Sequence, residues 1–229
     1  MNTIKSKLRS SILSVTAFIS LFSLTPQPVF AQTISPNPNF WNKIFKPSRR
    51  DPDPPRKPKK GAPRGPQLCF ISSNTSSRII WNTKPLLLWE GEINKIALKR
   101  ISSKEYLDTQ IVTGSQSVNY TGKPLEPGKT YRWLIFLSEL ENASPTRHLT
   151  FKVMEASQRK LITAELRLLE RLQKNKGADA ENTAFTKANY FMEKGLWADA
   201  LQEAYSVSNP SPELLRLRKD LPNQLCKSK

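Results

Sequence analysis

The sequence predicts an α+β protein in which a β-sandwich is followed by a small α-helical domain. The segment 125–133 carries a Pro127-Gly128 turn and leads directly into an alternating apolar strand. Seven short apolar runs separated by turn residues lie between residues 67 and 155, as in two packed antiparallel sheets. After Glu155 the apolar spacing becomes helical. A chain of 229 residues is long enough for one domain or two small ones.

Residues 1–31 have the layout of a secretory signal peptide, with a basic start and an apolar run over 12–24. Small residues precede Gln32 at the positions that signal peptidase reads, which predicts cleavage after Ala31. The alternative is an uncleaved membrane anchor, but the apolar run is shorter than the ~20 residues that a spanning helix needs. The sequence therefore predicts a periplasmic or secreted protein.

A proline-rich basic linker is predicted over 32–66, which contains nine prolines and nine Lys or Arg against two Asp. Proline lacks the backbone donor and fixes φ, so this segment is expected to be extended. Within it, 39–45 has aromatic and aliphatic residues at helical spacing. This pattern indicates either a peripheral contact with a membrane or a partner, or an arm docked on the folded protein. The residues concerned are Phe40, Trp41, Ile44 and Phe45.

The net charge of +17 is concentrated in the N-terminal part of the chain and the linker. Inside a cell this charge would indicate nucleic acid first. Export removes nucleic acid as the expected partner and favours an envelope protein or an anionic envelope polymer.

The domain 67–155 is predicted to hold the sandwich. The strand after the 125–133 turn alternates two faces, with Tyr131, Trp133 and Ile135 on one of them, and is expected to be central. Trp89 is expected to add aromatic burial. The predicted strands are 77–81, 85–89, 95–101, 106–112, 117–120, 130–137 and 147–153.

The spacing Leu-x-Pro-Gly-x-x-Tyr-x-Trp at 125–133 resembles the strand entry of fibronectin type III and other immunoglobulin-like domains. The resemblance implies that Tyr131 is structural and ties its hydroxyl back to nearby backbone. The alternative is that Tyr131 and Trp133 form a platform on which sugars stack.

The domain 156–229 is predicted to be helical. A first helix carries a broad apolar stripe and stops at Gly177; further helices are expected at 179–194, 197–208 and 212–219. The stripe consists of Leu161, Ile162, Leu166, Leu168, Leu169 and Leu172.

The segment 188–204 resembles one tetratricopeptide repeat, with small Ala188, Ala200 and Ala204 where two helices approach closely and Gly195 at the turn. A packing role and a peptide-binding groove are both consistent with it. The whole arrangement, from signal peptide through linker and β domain to helical tail, resembles a cyanobacterial family of exported proteins of unknown function. That resemblance implies location and architecture, without implying an activity.

Cys69 and Cys226 are the only cysteines. An even number in an exported chain favours a disulfide between them, which would fasten the helical tail to the sandwich. The alternative is two separate thiols.

Catalytic and cofactor motifs are not evident. The only histidine, His148, has no second histidine or nearby cysteine with which to form a metal or nucleophilic site. Glu90 and Glu92 flank Gly91 and are interpreted as solvated turn acids. We therefore expect no enzyme activity, no metal and no cofactor.

The sequence favours a non-enzymatic interaction or scaffold module of the cell envelope. The alternative is a carbohydrate-binding or carbohydrate-processing accessory protein that uses exposed aromatic residues such as Trp81 or Trp89.

Overall fold

The computed structural model describes Trp41, Phe45 and residues 68–72, 78–140 and 142–227. The predicted signal peptide, with its cleavage site at Ala31, and nearly all of the predicted linker lie outside the described residues. The described residues form a mixed α+β fold of two sheets and four helices, as the sequence predicts at this level.

Eight strands form the two sheets. One sheet has the order β1-β3-β6 and the other the order β2-β8-β7-β4-β5. Every pairing is antiparallel except that of β2 with β8, which is parallel. The strands are β1 (Cys69–Phe70), β2 (Ile79–Ile80), β3 (Leu86–Glu90), β4 (Lys95–Arg100), β5 (Tyr106–Ile111), β6 (Ser117–Asn119), β7 (Thr130–Phe136) and β8 (Arg147–Val153).

The faces predicted for β7 are confirmed. Tyr131, Trp133 and Ile135 point into one apolar core, whereas Leu134 and Phe136 belong to a separate cluster on the other face. The strand lies between β4 and β8 and is central, as predicted. The same core receives side chains from both sheets, because Leu87, Trp89 and Val118 also contribute to it.

The turn that precedes β7 has the geometry that its sequence requires. Gly128 has φ +76°, a left-handed conformation that side chains rarely adopt. The Glu126 backbone N–H donates to the Tyr131 hydroxyl at 2.8 Å, which is the kind of contact that the 125–133 resemblance implied. Tyr131 is therefore buried and structural, and it offers no sugar-stacking surface.

Strand β3 is buried on both faces. Leu87 and Trp89 face the core between the sheets, while Leu86 and Leu88 pack into the core of the helices. A continuous apolar run is the expected sequence of a strand covered on two sides. Strand β3 therefore belongs to both cores and couples them.

The strand predictions differ from the structure in two respects. Strand β1 was not predicted, because two residues cannot show an alternating pattern; it forms by pairing with Trp89 and Glu90 of β3. The predicted strand 77–81 is reduced to β2, and its pairing with β8 is parallel where the two sheets were expected to be antiparallel throughout.

Four helices follow the strands. Gly177 and Gly195, both at positive φ, follow the first and second helices. The Asp179 carboxylate caps the second helix by accepting from the Asn182 N–H at 2.7 Å. The helices are α1 (Ala156–Asn175), α2 (Ala180–Glu193), α3 (Trp197–Ser206) and α4 (Pro212–Lys227).

Helix α4 continues beyond the predicted end at Lys219, through Pro222. Proline cannot donate the usual hydrogen bond to the carbonyl four residues earlier, which here is that of Arg218. The Tyr205 hydroxyl donates to that carbonyl at 3.0 Å. A side chain of α3 thus replaces the donor that Pro222 lacks.

The apolar stripe predicted on α1 divides into two. Ile162 and Leu166 are buried and Leu169 packs beside them, as expected. The other three leucines of the stripe, Leu161, Leu168 and Leu172, are exposed by 66%, 56% and 45%. The broad stripe predicted on α1 is therefore buried along one side only, where α1 meets the helical core.

Trp41 and Phe45 are buried in the helical core, exposed by 0% and 1%. The Trp41 ring stands edge-on to Phe185 at 5.2 Å, and Phe45 stands edge-on to Trp197 at 5.4 Å. Of the two interpretations of 39–45, this arrangement corresponds to a docked arm. Within the described residues, none of the helices has the length and hydropathy needed to cross a membrane.

Candidate functional site

The junction between the sheets and the helices is built from the loop after β2 and the first turns of α3. The Asp199 carboxylate accepts from the backbone N–H of Trp81 at 2.8 Å and from that of Asn82 at 2.7 Å. Asp199 is buried. One side chain therefore accepts hydrogen bonds from two consecutive backbone N–H groups of the loop. These two groups are not part of a strand pairing.

Gln202, one turn further along α3, continues the same pattern. Its Nε2 donates to the Lys84 carbonyl at 2.8 Å, and its Oε1 accepts from the Leu86 N–H at 3.3 Å. The loop and the start of β3 are thus hydrogen-bonded to α3 as they would be to a neighbouring strand.

Trp81 is held from the opposite side by Arg159 of α1. The Arg159 Nε donates to the Trp81 carbonyl at 2.7 Å, and the guanidinium lies 5.3 Å from the centre of the indole ring. The ring also lies 5.5 Å from that of Phe191. Trp81 is therefore a half-buried packing residue at the junction.

Burial raises the pKa of Asp199 to about 7, from an ordinary value of 3.8. The backbone donors at Trp81 and Asn82 and the charge of Arg159 oppose this rise, whereas the charge of Glu203 adds to it. Asp199 thus changes its charge near neutral pH while it carries the junction hydrogen bonds.

We expect Asp199→Ala to lower the free energy of unfolding by about 2–3 kcal/mol, because two partly buried backbone N–H groups lose their acceptor. We also expect stability to decline as pH rises from 4 to 7. Over that range the folded state keeps a proton that the unfolded state has lost, so the folded state is favoured most below the unfolded pKa of 3.8. Urea unfolding across this range measures both effects.

The matched control for this prediction is Asp199→Asn, which keeps one acceptor oxygen and removes the titration. It should be less destabilising than Asp199→Ala and should flatten the pH dependence. Glu203→Gln tests the neighbouring partly buried acid, whose pKa burial also raises. An unchanged pH profile in Asp199→Asn would contradict the assignment.

A shallow cleft that is open to solvent lies beside this junction. Its lining is mainly apolar and includes Ile80, Trp133 and Phe151. The polar lining includes Asp199 and Gln202, both already bonded to backbone. The cleft can receive an apolar group, but these two side chains are occupied in holding the fold.

A second concave surface lies between α2 and α3 and is more polar. Lys187 lies at its wall, 3.0 Å from Glu203 and 3.2 Å from Glu170. Burial lowers the pKa of Lys187, but the two carboxylates outweigh burial and raise the pKa above its ordinary value. The ammonium group therefore stays charged and links α1, α2 and α3.

A third polar cluster joins the arm at Trp41 to the helices through Glu181, a buried acid on the first turn of α2. Its carboxylate accepts from the Trp41 indole N–H at 3.0 Å. It also accepts from the Ser211 backbone N–H at 2.7 Å and from the Ser211 hydroxyl at 2.8 Å. Glu181 thus connects the arm, α2 and the start of α4.

The residues singled out in the sequence fall in separate places. The sulfur atoms of Cys69 and Cys226 lie 2.05 Å apart, at disulfide-bonding distance. Trp89 is fully buried and its indole N–H has no partner within the described residues, so it offers no ligand surface. His148 is exposed on β8, and Glu92 is exposed beyond β3.

The sequence analysis missed Asp199, Gln202, Arg159 and Glu181. Both acids stand in the first turn of a helix, where negative charge is ordinarily favourable and needs no further explanation. The available signal was the position of Asp199 between Ala198 and Ala200, in the stretch of α3 expected to pack inward.

No group of three or more metal-ligating residues is found in the part of the chain that the structure describes. Comparison with protein-family models, with curated proteins and with solved structures finds no match.

Proposed function

We propose that the protein is a non-enzymatic interaction or scaffold module of the cell envelope, periplasmic or secreted. The observation that supports this most directly is the junction. Asp199, Gln202 and Arg159 are buried or half-buried polar groups of the kind that a catalytic site uses, and each is instead committed to backbone atoms that join sheets to helices.

The finer architecture belongs to the same proposal. The Tyr131 contact with the Glu126 N–H favours an immunoglobulin-like β-sandwich. Ala188, Ala200 and Ala204 are fully buried where α2 meets α3, which favours a tetratricopeptide-like hairpin. These features are also those expected of the cyanobacterial exported family that the sequence resembles.

Envelope attachment is proposed to rest partly on the basic linker. Export would place this positive charge against anionic envelope polymers, where salt-sensitive attraction is expected. An envelope protein that recognises the folded part is the other class of partner. Nucleic acid is not proposed.

The test is a pull-down from envelope extract. Deleting 32–66 would also remove the buried Trp41 and Phe45, so the linker is better tested by charge alone. The linker variant carries four substitutions to glutamine, at Arg56, Lys57, Lys59 and Lys60. We expect this variant to be retained less by the extract, and its retention to change less when salt is added.

The matched control replaces four exposed basic residues of the β strands and their connecting loops with glutamine and should retain the binding of the parent. If both variants lose retention equally, the linker has no special role. If the parent protein retains nothing from the extract, the proposed function is wrong. The control positions are Lys104, Lys123, Lys129 and Arg147.

A further inference from the structure

One face of α1 carries an exposed leucine row that the fold does not cover. Leu161, Leu168 and Leu172 recur at intervals of seven and four residues, which places them on one line along the helix. Each is about half exposed or more. At 1.5 Å per residue the row is about 16 Å long.

A basic row runs beside the leucine row. Lys160, Arg167 and Arg171 each stand one position before a leucine of the row, and Lys174 extends the line. All four are exposed, and none forms an ion pair within the described ranges. Apolar and cationic groups therefore lie side by side along the outer face of α1.

The acids of α1 do not cancel this charge. Glu165 forms an ion pair with Lys194 at 3.1 Å and accepts a hydrogen bond from Tyr190. Glu170 is paired with the partly buried Lys187. Both carboxylates are thus paired with lysines that lie within α2 or directly after it, and the outward face of α1 keeps a net positive charge.

We propose that this face of α1 lies on the surface of an anionic lipid bilayer, with its leucines at the acyl boundary and its basic row on the headgroups. A basic amphipathic helix face with leucines is the pattern of interfacial binding. In this arrangement α1 lies parallel to the plane of the surface, so that both rows meet the lipid. The inference deepens the proposed function, on which it rests, by assigning an anionic lipid surface as an envelope partner.

Charge and shape favour a lipid surface over a protein partner on this face of α1. A lipid surface supplies negative charge at one depth and apolar chains just below it, which matches two parallel rows on one helix. The outer face of a single helix is convex, so a protein partner would have to supply the groove. A second copy of the chain would bring the same positive charge to the contact.

The experiment measures sedimentation of the exported, purified protein with vesicles at about 0.15 M salt, where long-range attraction is screened beyond about 8 Å. Vesicles of phosphatidylcholine mixed with phosphatidylglycerol are compared with phosphatidylcholine alone. We expect binding only to the anionic vesicles.

The leucine variant combines Leu161→Gln, Leu168→Gln and Leu172→Gln, since glutamine preserves helix propensity. We expect it to bind the anionic vesicles more than about 100-fold more weakly. The control combines Leu107→Gln, Ile111→Gln and Leu140→Gln, which are equally exposed apolar positions on or beside the sheets, and should bind like the parent.

A second variant tests the same face of α1 independently, in case the leucine variant does not fold. Arg167→Gln with Arg171→Gln removes two basic groups, each worth about fivefold in affinity at an anionic surface, so binding should fall about 25-fold. The linker variant with four glutamines should retain most of its binding to anionic vesicles, because that binding is assigned to α1.

Three outcomes would overturn the inference. They are no binding to anionic vesicles, equal binding by the leucine variant, and a parent dimer that the leucine variant converts to a monomer, which would assign the face to a second copy. If the parent protein is retained by envelope extract but does not bind vesicles, the proposed function is unaffected and only this inference is wrong.

Discussion

Replacing both Cys69 and Cys226 with serine is expected to lower the free energy of unfolding by about 4–5 kcal/mol. The two residues are 157 positions apart, so a bond between them closes a loop of most of the folded chain. Its loss gives the unfolded chain much more conformational freedom. Unfolding in guanidinium, with and without reductant, measures the difference.

The position of the Cys69–Cys226 disulfide predicts which element of the fold is destabilised first when the bond is removed. Cys226 lies near the end of α4, and Cys69 lies on β1, which pairs with β3. Helix α4 is otherwise held by the buried Leu214, Leu217 and Leu221. Hydrogen exchange should therefore show the largest loss of protection in α4.

Reduction of the parent protein is the internal control for this result. Reductant should destabilise the parent to the level of the double serine variant and should leave that variant unchanged. If the variant unfolds within about 1 kcal/mol of the parent, the entropic account of the bond is wrong. Two free thiols in unreduced, denatured protein would show that the pairing does not form.

The most reliable predictions came from residues whose period fixes a face. In β7 each step of one residue reverses the side chain, so an error of register would have moved Trp133 out of the core between the sheets; the pattern was therefore decisive. The disulfide pairing depended on the number of cysteines and the expected export, and distance played no part in it.

What could not be predicted depends on contacts between elements distant in the sequence. The run 86–89 indicates burial, but it does not say that alternate residues meet two different cores. The fourth helix was predicted to end at Lys219, and its continuation through Pro222 could not be foreseen, because the Tyr205 hydroxyl that supplies the missing donor is 17 positions before Pro222. In both cases the deciding neighbour is invisible to a local pattern.

The candidate site shows the same limit more sharply. Asp199 and Glu181 look like ordinary first-turn acids, and their sequence neighbours do not include the groups that they bind. The bonds from Trp81 and Trp41 span 118 and 140 positions. The division of the α1 stripe into a buried and an exposed side was also unpredictable. The two sides are equally apolar, and only the position of α2 decides which of them is covered.

Trp41→Ala is expected to destabilise the protein by about 3–5 kcal/mol, the range for removing a large buried aromatic side chain. The substitution opens a cavity beside Phe185 and removes the indole donor from the buried Glu181 carboxylate. Urea unfolding measures the loss. Trp41→Phe is the matched control, because it keeps the larger part of the ring volume in the core while removing the hydrogen bond, so its cost should be smaller, about 1–2 kcal/mol.

This result also decides between the two interpretations of 39–45. The Trp41 ring cannot be in the helical core and in a membrane at once, and leaving the core would cost about as much as Trp41→Ala does. The free energy of a peripheral membrane contact through 39–45 would therefore have to exceed the several kcal/mol lost when the Trp41 ring leaves the core. If Trp41→Ala leaves the unfolding midpoint unchanged and abolishes vesicle binding, the arm and not α1 is the membrane contact.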